Sequence, residues 1–324
     1  MYSNNLTENF RDPEKVETVD LAPKPLVSIC IPTYNNAPMV VDALRSAMAQ
    51  TYGNVEILVL DNASTDATSQ VVAEVTCGDA RVRYVRNETN LGMIGNFSAC
   101  IYAAHGNYIK FLCADDLLMP DCVASMVDAF ESHPETALVA SARLLVDEAL
   151  VPLRAAGFSQ CALSRDGASV IHDCFFRGNL IGEPTAVMFR RQKALRGLRE
   201  EYQQLMDLEM WMYLLRSGDM TYIDRPLCKV RQHPQQATRQ HLKSGVVLDN
   251  KRQLFREFRG VITRATFMDK LRWDIRMAVT LLRTIQADAG GARTNIEEVY
   301  FHALFPWFTL PVTQLLFAVV GRNR

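Results

Sequence analysis

The sequence lacks a dominant charge. Its 324 residues carry 35 Lys and Arg against 36 Asp and Glu, a formal net charge of −1, which removes any global electrostatic case for a nucleic-acid partner. It also lacks cysteine pairs at metal spacing. The eight cysteines (30, 77, 100, 113, 122, 161, 174 and 228) form no CxxC and no Cys/His cluster, and most sit among apolar neighbours as buried free thiols do. No charged-then-apolar leader opens the chain, since residues 1–25 are polar and acidic and end in Pro23-Lys-Pro25; with the free thiols this predicts a reducing cytoplasm. A P-loop and a GxGxxG turn are missing as well. The second absence disfavours a nicotinamide oxidoreductase, and together they leave phosphate to side chains and a cation. What remains is an ordinary globular composition, 48% hydrophobic and 22% charged, long enough for a main domain and a smaller module.

Residues 1–25 show no apolar periodicity and read as a mobile tail. The pattern then changes. Apolar runs at Leu26–Ile31, Val55–Leu60, Val82–Val85 and Tyr108–Leu112 alternate with helical spacings over Val40–Gln50, from about Asp66 to Val75, and over Met93–Ala104. Unbroken apolar strands alternating with helices predict an α/β fold with a mainly parallel sheet covered on both faces. Ligands of such sheets bind beyond the carboxyl ends of the strands, which directs attention to the residues after 31, 60 and 112. Further on come Ala137–Ala142, a less regular region to Phe176, then Ile181–Phe189, a helix Gln204–Arg216 and a run Tyr222–Val230. From about Gln240 the spacing is helical only, over Val246–Phe258 and Phe267–Ile285.

The three strand ends are polar. The first empties into Pro32-Thr33-Tyr34-Asn35, a hydroxyl, a phenol and an amide suited to a base and ribose, or to a plain turn capped by Thr33 or Asn35. The second ends in Asp61-Asn62-Ala63-Ser64-Thr65-Asp66. Ser64 or Thr65 can cap the next helix with Asp66 in its first turn, but Asp61 and Asn62 precede the cap and are free to accept from a base N–H and ribose hydroxyls. The fourth run ends in Cys113-Ala114-Asp115-Asp116. Adjacent carboxylates after a buried strand lose hydration and repel, and a divalent cation removes that cost.

The segments 27–35 (Val-Ser-Ile-Cys-Ile-Pro-Thr-Tyr-Asn), 59–66 (Val-Leu-Asp-Asn-Ala-Ser-Thr-Asp), Asn90-Leu-Gly92 with Asn96, and 106–116 (Gly-Asn-Tyr-Ile-Lys-Phe-Leu-Cys-Ala-Asp-Asp) resemble, in order and spacing, the motifs of family 2 inverting glycosyltransferases of the GT-A fold. The resemblance covers residues 26–120. It implies a nucleotide-diphospho-sugar donor, UDP by default, held by Thr33 and Asn62 with Asp61, among neighbours Pro32, Tyr34, Asn35 and Asn90. It implies Mn2+ or Mg2+ on Asp115, with Asp116 near the ribose or donor sugar. Where the family often has Asp-x-Asp, the first position here is Cys113, a neutral thiol read as packing rather than ligation.

In the second half, Gly182-Glu183-Pro184-Thr185 borders the acceptor pocket by the same resemblance, making Glu183 and Thr185 acceptor candidates. In Met206-Asp207-Leu208-Glu209-Met210-Trp211, Asp207 and Trp211 share a helix face while Glu209 points away. An acid on an apolar face is partly desolvated and becomes a better proton acceptor. The family's Glu-Asp motif places its catalytic base at Asp207, with Met206 in place of the Glu. Arg231 and His233 alternate to one side of an extended segment and, by resemblance, fold over the diphosphate, His233 also near the metal.

The expected organisation is a tail at 1–25, a GT-A catalytic domain at 26–235 (nucleotide half 26–120, acceptor half 121–235) and a helical module at 236–324. Residues 239–283 hold eleven Lys and Arg against four Asp and Glu, and Leu304–Val320 is uncharged but interrupted by Pro306 and Pro311. That suits adsorption to the inner face of the cell membrane, or a homodimer seam, better than a spanning helix. The expected acceptor is a saccharide or lipid-linked saccharide of surface polysaccharide synthesis. The rival is a nucleotide-sugar-binding scaffold without turnover, which the departures at Cys113 and Met206 keep open.

Overall fold

In the computed structural model the described residues are 23–233, 246–262 and 265–273. The N-terminal tail up to residue 22, the Phe267–Ile285 helix beyond 273, residues 239–245, 263–264 and 274–283 of the basic stretch, and the uncharged 304–320 segment lie outside them. Among the described residues no helix is long and apolar enough to cross a membrane.

The chain alternates β1 (Val27–Thr33), α1 (Ala37–Met48), β2 (Val55–Asp61), α2 (Thr68–Val75), β3 (Val82–Arg86), α3 (Gly92–Ala103) and β4 (Tyr108–Phe111), as the apolar runs predict. Then follow β5 (Leu117–Leu118), α4 (Cys122–Ser132), β6 (Thr136–Val146), β7 (Pro152–Ala156), β8 (Leu163–Arg165) and α5 (Gly167–Arg177). A 3-10 turn Pro184–Ala186 leads into β9 (Val187–Arg190), and α6 (Met206–Leu214), β10 (Asp219–Arg231) and α7 (Val246–Phe258) follow, with residues 267–273 helical as well. The less regular region before Phe176 holds β7, β8 and α5. The first two are short edge pieces on β6 and β10, and every residue of β7 but its last is exposed, so no buried run marks them.

The sheet order is β3-β2-β1-β4-β9-β6-β10-β5. Strands β3, β2, β1 and β4 are parallel neighbours. Strand β9 runs antiparallel to both β4 and β6, and β6 pairs parallel with β10. Six strands therefore point the same way, and their carboxyl ends share one edge of the sheet. The 13-residue β10 keeps its pairing with β6 through register shifts around Pro226, where a residue without an N–H cannot join the ladder.

One apolar layer, with Val40, Leu44, Val72, Met126 and Phe130, packs α1, α2 and α4 on one face. The other, with Phe97, Phe175, Tyr202, Trp211, Leu254 and Phe258, packs α3, α5, α6 and α7 on the opposite face. Gly106 shows how closely the loops approach at the far edge. A Cβ there would lie 2.6 Å from the Ser28 backbone N, so only glycine admits the contact between the α3–β4 loop and β1.

Candidate active site

At the shared carboxyl edge the sheet opens into a cavity of about 630 Å³. Its wall takes Pro32, Thr33, Tyr34 and Asn35 from the end of β1, Asn62 from β2, and Asn90 from the loop before α3. Asp115, Asp116, Glu183, Asp207 and His233 complete it, so residues spread over 200 positions of sequence meet around one space.

The acidic corner follows β4. The Cys113 Sγ and a carboxylate oxygen of each of Asp115 and Asp116 lie within 4.8 Å of one another, and Asp115 Oδ2 is 2.9 Å from His233 Nε2. Asp116 is buried, accepting from the Thr185 hydroxyl at 2.5 Å and from the Arg231 backbone N–H at 2.9 Å. Those donors favour the carboxylate, whereas burial and the neighbouring Asp115 hold its pKa well above the usual range. Burial, then Asp116 and Asp115, likewise push the Cys113 thiol up. A divalent cation relieves both, and carboxylates with an imidazole beside them suit Mn2+ or Mg2+. The residues fit a metal on Asp115, with His233 and Asp116 adjoining. The Cys113 sulfur lies in the same cluster, at a spacing that packing alone also gives.

Three expected contacts are placed differently. Thr185 is fully buried and its hydroxyl is spent on Asp116 and on the Cys113 N–H at 3.1 Å, so it supports the acidic corner and cannot touch an acceptor. Arg231 does not line the cavity. Its guanidinium pairs with Asp42 of α1 at 2.9 Å and reaches the Glu148 carbonyl at 3.3 Å, because β10 ends at this residue and the chain leaves the sheet before His233. Asp61 is fully buried and is held by the Ser64 N–H, the Ser64 and Tyr84 hydroxyls and, at 3.6 Å, Arg86.

The cavity wall after β1 and β2 is built from two strained turns. Asn35 and Ala63 have φ of 48° and 61°, a left-handed backbone that residues with a Cβ seldom adopt. Asn35 ties the two turns together, its N–H donating to Ser64 Oγ and its Oδ1 accepting from the Thr65 N–H. Capping belongs to Asp66 rather than to Ser64 or Thr65: it accepts from the Thr68 N–H at the start of α2 and from the Ala37 N–H at the start of α1. Asn62 donates to Asn90 Oδ1 and the Gly92 carbonyl and accepts from the Asn87 amide and the Leu91 N–H, so it fastens the 87–92 loop over the cavity. Thr33 Oγ1, buried on the cavity wall, has no hydrogen-bond partner among the described residues. Tyr34, Leu91 and Met93 leave apolar surface exposed around this end.

At the other end stands Asp207, on the first turn of α6. Burial pushes its pKa up to about 6, with Glu183 adding in the same direction. Its Oδ1 accepts from the Leu208 N–H at 2.7 Å and its Oδ2 from the Asn179 amide at 2.9 Å. Trp211, one turn on, donates to the Gly182 carbonyl, so the shared face of Asp207 and Trp211 is realised. Glu209 faces elsewhere, fully buried and bound through both oxygens to Arg196 at 2.8 Å. Glu183 lines the cavity and is ion-paired with Arg143 of β6. Gln203, Gln204, Asn96 and Met206 also line it. Asn96 belongs to the motifs that carry the family resemblance, whereas Gln203 and Gln204 carry no signal beyond preceding α6.

The protein-family model for "Glycosyl transferase family 2" matches residues 28–194. An uncharacterized protein of Mycobacterium tuberculosis is 34% identical over 255 residues, spanning 75% of this chain and 78% of that one. Chondroitin synthase of Escherichia coli is 29% identical over 219 residues, which cover 67% of this chain but 30% of the synthase. Among solved structures, S. aureus TarS 1–349 in complex with UDP-GlcNAc superposes with a TM-score of 0.59 at 16% identity, covering 91% of this chain and 80% of that one. The shared architecture is the GT-A fold.

Proposed function

Because the chain belongs to glycosyl transferase family 2, we propose that it is an inverting, metal-dependent transferase moving a sugar from a nucleotide diphosphate, in first place UDP, to a hydroxyl of a saccharide or lipid-linked saccharide. The observation that carries this reading is that one cavity joins a cation-ready acidic corner to a carboxylate poised near pH 6.

Asp207 accepts the proton of the acceptor hydroxyl as that oxygen attacks the anomeric carbon. At neutral pH a group titrating near 6 is mostly ionised, yet is a stronger base than an ordinary carboxylate. Attack from the face opposite the nucleotide inverts the anomeric centre in one displacement. Asp115, with His233 and Asp116 beside it, would hold the Mn2+ or Mg2+, which when bound neutralises charge on the departing diphosphate. Thr33 and Asn62, with Pro32, Tyr34, Asn35 and Asn90, surround the nucleoside. Asp61 serves through the turn it braces, and Arg231 through the N–H it gives Asp116. Glu183 meets the acceptor.

The chondroitin synthase relative supports a polysaccharide setting, and the TarS complex supports a UDP-sugar donor. We place the reaction on the cytoplasmic side, at the membrane's inner face where the acceptor is lipid-linked. The deciding experiment screens UDP-, GDP- and dTDP-sugars with Mn2+ for thermal stabilisation and then for nucleotide release. Tight binding with no release from any donor, with or without saccharide acceptors, would favour a scaffold instead.

A further inference from the structure

Asn179 lies in the loop after α5, 28 positions before Asp207, outside every sequence motif. Its side-chain amide makes three hydrogen bonds. Nδ2 donates to Asp207 Oδ2 at 2.9 Å and to the Gly182 carbonyl at 3.1 Å, while Oδ1 accepts from the Gly182 N–H at 3.0 Å. Chemistry fixes this orientation. A flipped amide would set its oxygen against a carboxylate and a carbonyl, and its NH2 against an N–H, losing all three bonds.

The clamp is anchored in turn. Gly182 has φ of 127°, a backbone conformation that calls for glycine, and a Cβ there would also sit tightly, 3.0 Å from Arg143 Nη1 and 3.2 Å from Ala186 Cβ. Its carbonyl also takes the Trp211 indole N–H at 3.1 Å, from the helix that carries Asp207. Asp207 is thereby held from two directions, by Asn179 on Oδ2 and by the Leu208 N–H on Oδ1. The oxygen positions left over belong to the cavity that Asp207 lines.

We propose that Asn179 is a positioning residue for the transfer: clamped by the backbone of Gly182, its amide aims the Asp207 carboxylate at the acceptor hydroxyl and stabilises its ionised form. This inference rests on the reading of Asp207 as the base. A hydrogen bond donated to a carboxylate favours the charged state, so Asn179 offsets part of the burial that raises Asp207. The other charged neighbour is Glu183 from the turn before β9, itself paired with Arg143 of β6; on α6, Glu209 is engaged with Arg196. Asn179 is thus the neutral donor set against Glu183, which makes Asp207 harder to ionise.

The test begins without substrate. Protein labelled with 13C at aspartate carboxyls is titrated, and the Asp207 signal is the one missing from Asp207→Asn. In Asn179→Leu the Asp207 midpoint should rise by roughly 0.5–1 pH unit. In the isosteric Asn179→Asp, which places acid against acid, it should rise further. Release of UDP from UDP-sugars with Mn2+ then gives kinetics: kcat should fall about tenfold or more, with donor KM steady and the acidic limb displaced upward. Adding Asp207→Asn to Asn179→Leu should cost no more than Asp207→Asn alone. An unmoved Asp207 midpoint in both folded Asn179 variants overturns the positioning role while leaving the base reading intact. Full turnover by Asp207→Asn overturns the base reading, whatever the titration shows.

Discussion

His233 Nε2 lies 2.9 Å from Asp115 Oδ2 although 118 residues separate them in sequence. The contact closes the acidic corner from just beyond the end of β10, so on the proposed metal reading the two residues should fail together. Asp115→Asn should abolish Mn2+-dependent binding of UDP with the fold intact, and His233→Ala should weaken it about tenfold or more. Calorimetry with and without Mn2+ reads both, and unchanged metal-dependent affinity in Asp115→Asn would reject the assignment.

Asp207 should trade stability for chemistry. Asp207→Asn is expected to lower turnover by about 10²–10⁴-fold with donor affinity little changed. Its folded pKa is raised, so its favourable contribution is full below the unfolded value near 3.8 and is lost as pH rises through about 6. The same variant should therefore melt higher than the parent at pH 8, by the equivalent of roughly 1–3 kcal/mol, and show no gain at pH 3.5. A lower melting temperature at pH 8 would contradict the burial argument.

Glu209→Gln should behave in the opposite way. It removes half of a buried, doubly bonded pair with Arg196 and should cost about 3 kcal/mol or more of stability. Turnover per folded molecule should stay near parental, which distinguishes it from Asp207 in one melt and one assay.

Thr185→Val keeps the shape and removes the hydroxyl that reaches Asp116. Leaving Asp116 Oδ2 and the Cys113 N–H without that partner should cost about 1–3 kcal/mol and weaken Mn2+-dependent nucleotide binding. If acceptor KM rose while metal affinity stayed constant, Thr185 would be an acceptor contact after all.

For the basic and uncharged segments after residue 239, binding to anionic vesicles should weaken from low to high salt, and truncation after Asn295 should reduce it. Sedimentation with vesicles checks this. A truncation that instead changes the oligomeric state would mark a dimer seam.

The alternation from β1 to β4 was legible because its central parallel strands are buried on both faces and read as unbroken apolar runs ending in polar residues. Strand alternation explains what was misplaced. Asp61 and Asn62 are consecutive, so their side chains leave opposite sides, one into the turn and one into the cavity. Arg231 and His233 would share a side only while the strand continued, and β10 ends between them. Asn179 was invisible because loop amides are common and its partner becomes near only when α5 and α6 pack on the same face of the sheet.

The wall beside Asp207 is secured by different elements from those that secure the acidic corner. Asn250 of α7 accepts from the Gln204 N–H and donates to the Glu201 carbonyl, and Glu257 takes the Tyr202 hydroxyl and Arg199. The acidic corner hangs instead from Thr185 and the end of β10. The two ends of the cavity can therefore diverge separately. A substitution in α7 that breaks the Asn250 or Glu257 bonds would loosen segment 199–204 and the wall beside Asp207 while leaving the bonds that hold Asp116 in place.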